Sequence, residues 1–241
     1  MFDALKAAVC EANRELARLN LAILTWGNVS GADRAADALV IKPSGVPYEV
    51  LKPSDMVVVN LSDGRVREGA LRPSSDTATH RALYDAFPAI GAVAHTHSRA
   101  ATLFAQARRP IPCLGTTHAD TFSGPIPVTR LLRAEEVGNA YETATGQVIA
   151  EQFASCDPLS IPAALVAGHG PFTWGLTPAD AVRHSLILEE VAALAAGTLH
   201  LSPQAAALPD YLAHKHHSRK HGPRATYGQP MPDSTGDAAA G

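Results

Sequence analysis

Cysteine is scarce and unpaired in this chain: Cys10, Cys113 and Cys156 are three in 241 residues, an odd number spread over most of the length. That pattern excludes a dense disulfide framework and a cysteine-built zinc module, and leaves packing as the simplest role for the thiols. Long apolar runs are missing as well. No stretch approaches the ~20 apolar residues a membrane-spanning helix needs, and the start Met1-Phe2-Asp3-Ala4-Leu5-Lys6 lacks the basic-then-apolar layout of a signal peptide. A cytoplasmic location is expected. Nor is there a long block of one charge: 20 Lys and Arg stand against 23 Asp and Glu, and the one short basic stretch runs from His214 to Arg224. Nucleic acid and membrane surfaces therefore gain no electrostatic foothold, and a small molecule is the expected partner.

What remains is a chain with 46% hydrophobic and 18% charged residues, enough to build one generous core. Phe2, Leu5, Val9, Ala12, Leu16 and Leu19 recur at spacings of three and four, which predicts an amphipathic helix over 2–20. Short strands are expected at 38–41 and 56–61, with Asp63-Gly64 as a hairpin turn. A helix follows at 77–87 and ends before Pro88. Beyond it come a strand at 90–97, a helix from Arg99 to about Ala107, and a Gly-, Pro- and Thr-rich loop at 110–130, of a length compact domains usually keep for function. Further helices are expected near 134–145, 178–196 and 204–216, with an apolar strand at 163–167. Residues 228–241 have the small, polar composition of a disordered tail. Hairpin signals beside crossover-length helices predict an α/β or α+β domain with a mixed or antiparallel sheet.

The stretch Val93-Ala94-His95-Thr96-His97 aims two imidazoles at one spot, because side chains two apart on a strand share a face. Alone, such a pair is more often a core or surface feature than a metal site. His169 changes the balance: it too ends an apolar strand, between Gly168 and Gly170, and three imidazoles match the ligand count of a catalytic zinc site. Asp76, in Arg72-Pro73-Ser74-Ser75-Asp76, is either the N-cap of the following helix or a carboxylate completing that site. Ser74 and Ser75 lie at the same helix start, where free N–H groups and the macrodipole favour an anion. Lys42, Ser44 and Gly45 form a second Pro-Ser turn. Together with Asn28 the two turns can cradle a phosphate.

In order and at matching spacing, the segments LTWGNVS, IKPSGV, PSSDTATH, HTHS, GTTHAD, GHGPF and RKHGPRATYGQ resemble the L-ribulose-5-phosphate 4-epimerases of the class II aldolase/epimerase family, over residues 2 to 229. The resemblance implies a single domain over 1–227, a three-layer α/β/α fold on a mixed, mainly antiparallel sheet. It also implies a homotetramer with four-fold symmetry and active sites between subunits. It assigns a divalent metal ion, zinc first and manganese second, to Asp76, His95, His97 and His169. It assigns substrate binding to Gly27, Asn28, Lys42, Ser44, Gly45, Ser74 and Ser75, with Thr116 and His216 near the reacting centre. The implied reaction cleaves the C3–C4 bond of a pentulose 5-phosphate, turns the aldehyde fragment and re-forms the bond with C4 inverted, the metal acting as Lewis acid. Asp120 and Tyr227 are the implied carriers of the C4 hydroxyl proton, one for each epimer.

Two rivals differ in testable ways. An aldolase of the same family would release the aldehyde for good; those relatives typically carry glutamate where this chain has Asp76, and the shorter acid favours epimerisation. A non-enzymatic protein with a structural metal would close its site, usually with cysteines, whereas three histidines and an aspartate leave room for a ligand.

Overall fold

The computed structural model describes residues 1–221 together with 225 and 226. Helix α1 (Asp3–Arg18) leads into β1 (Gly27–Asp33), β2 (Ala38–Ile41), a 3-10 turn at Pro53–Asp55, β3 (Val57–Asn60) and β4 (Val66–Glu68). Next come α2 (Thr77–Ala86), β5 (Ala92–Thr96), α3 (Arg99–Ala107) and the short α4 (Thr116–Ala119). The described chain closes with α5 (Ala134–Gln152), β6 (Ala163–Leu165), β7 (Pro171–Gly175), α6 (Pro178–Leu201) and α7 (Asp210–Ser218). Tyr227 and the expected tail at 228–241 lie outside the described residues.

The strands form one sheet in the order β4-β3-β2-β1-β5-β7-β6. Every ladder is antiparallel, and one isolated parallel bridge, Val128 to Leu165, gives the sheet its mixed character. Both faces are covered, which explains why β2, β3, β5 and β6 read as continuous apolar runs rather than alternating ones. On β2, Leu39 and Ile41 pack with Leu83 and Tyr84 of α2, Ile149 of α5 and Phe153 just past its end, while Ala38 and Val40 pack with Val9 and Cys10 of α1. Helices α3 and α6 cover the β6 end of the second face through Phe104, Leu188 and Val191. Each fully buried Leu, Ile or Phe stabilises this arrangement by about 1.5–3 kcal/mol.

Sequence periodicity located most helices and misjudged several ends. Helix α5 continues to Gln152 rather than 145, with a break at Ala140 (φ −160°, ψ 57°), and α6 continues to Leu201 rather than 196. The expected helix at 204–216 starts only at Asp210. Leu208 precedes a proline, which disfavours helical backbone, and its N–H donates to the Cys113 carbonyl at 2.8 Å. The loop at 110–130 contains α4, and α7 packs on it. Strands β1 and β7 carried no recognisable signal. The segment Gly27-Asn28-Val29-Ser30-Gly31-Ala32-Asp33 is poor in β-branched residues, yet it pairs on both sides, with β2 and with β5. Asn13 anchors it from α1: its side-chain amide donates to the Val29 carbonyl at 3.0 Å and accepts the Val29 N–H at 2.8 Å. Tertiary pairing here overrides local propensity.

Candidate active site

His95 is the last but one residue of β5 and pairs with Asn28 of β1 on one side and Phe172 of β7 on the other. Its ring is buried and lies flat on Phe172, with centroids 4.2 Å apart and planes inclined by 17°. Its Nδ1 donates to the Pro171 carbonyl at 3.0 Å, which leaves Nε2 as the lone-pair atom facing outward. His97, one residue beyond the strand, brings its own Nε2 to 3.1 Å from that atom. His169 reaches the same point from the β6–β7 turn, where Gly168 takes a positive φ of 74°. One ligand nitrogen from each of the three rings falls within 4.8 Å of the others.

Electrostatics keep the three rings neutral near neutral pH. Burial pushes His95 well below its ordinary pKa, aided by His169 and His97. Burial also lowers His97 and His169, and the nearby Asp76 partly opposes it in both. Neutral imidazoles with converging lone pairs, one of them oriented by a backbone carbonyl, fit a divalent metal ion.

Asp76 faces the same cavity without belonging to that ligand group. It is the N-cap of α2, but its side chain caps nothing; its Oδ2 instead accepts from Asn28 Nδ2 at 2.6 Å. The helix that carries it is pinned to β1 by a buried chain in which Ser30 Oγ lies 2.7 Å from His80 Nδ1 and 2.8 Å from the Tyr84 hydroxyl. Burial drives His80 down to about 3, so this link stays uncharged.

The cavity measures about 380 Å³. Gly27, Asn28, Lys42, Ser44 and Gly45 line one side of it together with Ser74 and Ser75. Gly27 is required: its φ is 141°, and a Cβ there would lie 2.7 Å from the His95 carbonyl oxygen. The two Pro-Ser turns are stapled to each other, Ser44 N–H to the Arg72 carbonyl and Ser74 N–H to the Lys42 carbonyl, both at 3.0 Å. Those two amides are therefore engaged, while the serine hydroxyls and the Lys42 ammonium are among the donors that face the cavity.

Lys42 is 2% exposed and has no carboxylate partner among the described residues: its Nζ lies 3.2 Å from the Pro43 carbonyl and over the Tyr48 ring. Burial pushes its pKa down to about 8. Below pH 8 both folded and unfolded chains hold the proton, and the cost of the buried charge is fully present. Between about 8 and 10.5 only the unfolded chain keeps it, so stability rises with pH. Urea unfolding of the ligand-free protein across that window should show a gain of up to about 3 kcal/mol that is absent from Lys42→Met. Parallel pH curves for the two proteins would remove the buried, unpaired ammonium.

Three expected site residues lie elsewhere. Thr116 opens α4, Asp120 closes it, and His216 sits on α7; none lines the histidine cavity of its own chain. Asp120 Oδ1 lies 3.0 Å from His216 Nδ1, and its carboxylate also meets Arg219 at 2.9 Å and Lys220 at 3.1 Å. Burial opposes its ionisation, but the hydrogen bonds from Arg219, His216 and Lys220 outweigh that and bring the carboxyl to about 2. Sequence reasoning missed the Pro171 carbonyl, the Phe172 platform, and Trp26, Tyr141 and Glu142 on the cavity wall. The first two directly follow His169-Gly170 and were reachable from strand register. Tyr141 comes 28 residues before His169 and arrives only through helix packing.

A fold of this kind, with three histidines at sheet ends in one cavity with two serine turns and a buried lysine, defines a class, and comparison agrees. Residues 7–196 match the class II aldolase and adducin N-terminal domain, and the chain belongs to that family. It is 53% identical over 225 residues to the L-ribulose-5-phosphate 4-epimerase UlaF of Salmonella paratyphi C (strain RKS4594), covering 93% of this chain and 98% of that one. The same figures hold for UlaF of Salmonella typhi. Among solved structures it resembles an L-fuculose 1-phosphate aldolase (TM-score 0.76, 24% identity, 90% of this chain and 95% of that one). The L-fuculose-1-phosphate aldolase of Thermus thermophilus is similar too (TM-score 0.65, 24% identity, 86% and 100%). These two likenesses show the shared fold.

Proposed function

We propose that the chain is a metal-dependent L-ribulose-5-phosphate 4-epimerase that interconverts L-ribulose 5-phosphate and D-xylulose 5-phosphate by breaking and re-forming the C3–C4 bond. The observation that carries this reading is one cavity lined by a histidine triad, a buried lysine and two serine turns. A phosphorylated sugar with adjacent oxygens satisfies both ends at once. The 53% identity to UlaF supports the pentulose as substrate.

His95, His97 and His169 would hold the metal, zinc or manganese, with Asp76 beside them. When bound, it supplies Lewis acidity toward the oxygens on C2 and C3. Lys42 and the hydroxyls of Ser44, Ser74 and Ser75 grip the phosphate, and Asn28, locked to Asp76, lines the wall between phosphate and triad. That grip keeps the aldehyde fragment in place while it turns. In one direction Asp120, ionised at physiological pH, accepts the C4 hydroxyl proton and the Tyr227 phenol donates its own to the aldehyde oxygen as the bond re-forms on the opposite face; in reverse the Tyr227 phenolate accepts and the Asp120 carboxylic acid donates.

Asp120 and the sequence neighbour of Tyr227 belong to one cluster, since the Thr226 N–H donates to the carbonyl of Arg219, which itself pairs with Asp120. This cluster stands apart from the cavity of its own chain. On this reading each cavity is completed by a neighbour's α4 and α7, and the family resemblance makes that assembly a homotetramer. The same reading makes the protein cytoplasmic, alongside charged sugar phosphates.

The test is direct. Purified protein incubated with L-ribulose 5-phosphate should yield D-xylulose 5-phosphate, lose that activity on chelation and regain it when zinc or manganese is returned. Accumulation of glycolaldehyde phosphate without the epimer would establish the aldolase reading instead.

A further inference from the structure

The three histidines are not held alike. His95 is fixed twice, by the Pro171 carbonyl on Nδ1 and by the Phe172 face. His169 stands on a turn between two glycines, half-buried, with Phe172 reaching it only edge-on at 6.2 Å. The one hydrogen-bond partner of its ring among the described residues is the hydroxyl of Tyr141, 3.3 Å from Nδ1. The tyrosine ring tilts against the imidazole at 6.1 Å.

Tyr141 is itself well placed to act as a fixed post. It follows the break at Ala140, where α5 changes direction, and its carbonyl accepts from Thr145 Oγ1 at 2.8 Å. The next carbonyl, that of Glu142, accepts from Thr79 Oγ1 of α2 at 2.7 Å. Helices α2 and α5 cross closely at Gly146, where a Cβ would lie 2.5 Å from Ala82 Cβ. The backbone beneath Tyr141 is thus tied to the helix that begins at Asp76.

We infer that Tyr141 is a positioning residue for the metal centre: its hydroxyl accepts the Nδ1 proton of His169 and so presents Nε2 to the ion. The inference rests on the proposed metal reading of the triad. An unconstrained neutral histidine side chain favours the opposite tautomer, with the proton on Nε2, which cannot ligate through that atom. An acceptor on Nδ1 reverses the preference, fixes the ring and raises the basicity of the ligand atom. His95 receives this from the backbone; His169 receives it from a side chain, and a side chain can be replaced without moving the sheet.

Tyr141→Phe removes one oxygen and leaves the ring. In the metal-free variant, nitrogen-15 NMR of the imidazoles should show His169 moving from the Nδ1–H form towards Nε2–H, with His95 unchanged. Competition with a chromophoric chelator should show zinc held about 10- to 100-fold more weakly than in the unaltered protein. In the double variant Tyr141→Phe/His169→Asn, zinc affinity should equal that of His169→Asn alone, because the tyrosine acts only through His169. Equal zinc affinity in Tyr141→Phe and the unaltered protein, with His169 keeping its tautomer, overturns the inference. So does a loss of turnover with zinc affinity intact, which would mean that Tyr141 touches substrate instead. An unaltered protein that binds no zinc in the same assay would overturn the metal reading itself, a result distinct from either.

Discussion

His97→Asn is expected to leave a folded protein that holds little metal and has lost epimerisation by at least ~10³-fold. His97 lies one residue beyond the end of β5, lines the cavity and belongs to none of the core clusters, so the change removes no core packing. It does remove one of three nitrogens whose separation is already near that of a shared ion. The Lewis acid is worth several kcal/mol of barrier, and each ~1.4 kcal/mol is tenfold in rate, so its loss sets the size of the effect. Elemental analysis, circular dichroism and the conversion of L-ribulose 5-phosphate to D-xylulose 5-phosphate, measured on one preparation, check all three parts. A metal-depleted variant with normal turnover would end the proposed mechanism.

The second large effect is a rescue. Asp120→Asn should retain metal and cavity and lose turnover by about 10²- to 10⁴-fold, the range for a positioned acid or base. Co-assembling Asp120→Asn with His97→Asn subunits should then restore activity, although both parents are nearly inactive. If every site takes its metal ligands from one subunit and its Asp120 from the next around a ring, random equal mixing leaves about one site in four intact. Recovery near that fraction, in mixed tetramers verified by mass, is the expected result. Mixed assemblies as inactive as their parents would place Asp120 and the histidines in one chain's site, against their separation in the structure.

The candidate site was legible in the sequence where chemistry and local geometry coincide. His95 and His97 declare themselves by a two-residue spacing on an apolar strand, and the glycines around His169 mark a second strand end. The serine turns were readable for the same reason, since proline, serine and glycine dictate turns locally. What stayed hidden depends on contacts far apart in the chain. The Asn28–Asp76 bond joins residues 48 apart, and it turns a plausible helix cap into part of a cavity wall. Strand β1 was invisible because its glycines, serine and asparagine carry little β-preference; its place is set by two neighbouring strands and by Asn13. The α7 boundary was lost to a proline whose effect on the preceding residue outweighed an apparently helical composition.

The sheet order has a consequence for how the protein comes to life. His95 and His97 lie far upstream of His169, and the two groups meet only when β7 docks against β5. Closing so long a loop is slow and must be paid for before any ligand contact rewards it. On the proposed metal reading, a nascent or unfolded chain presents a two-histidine fragment that competes poorly for a scarce divalent ion, and high-affinity capture switches on only when β7, the last described strand in chain order, has docked. In refolding experiments, metal uptake should lag behind the burial of Trp174, which sits on that same strand, so the ion arrives as an inspector of the finished sheet rather than as its nucleus.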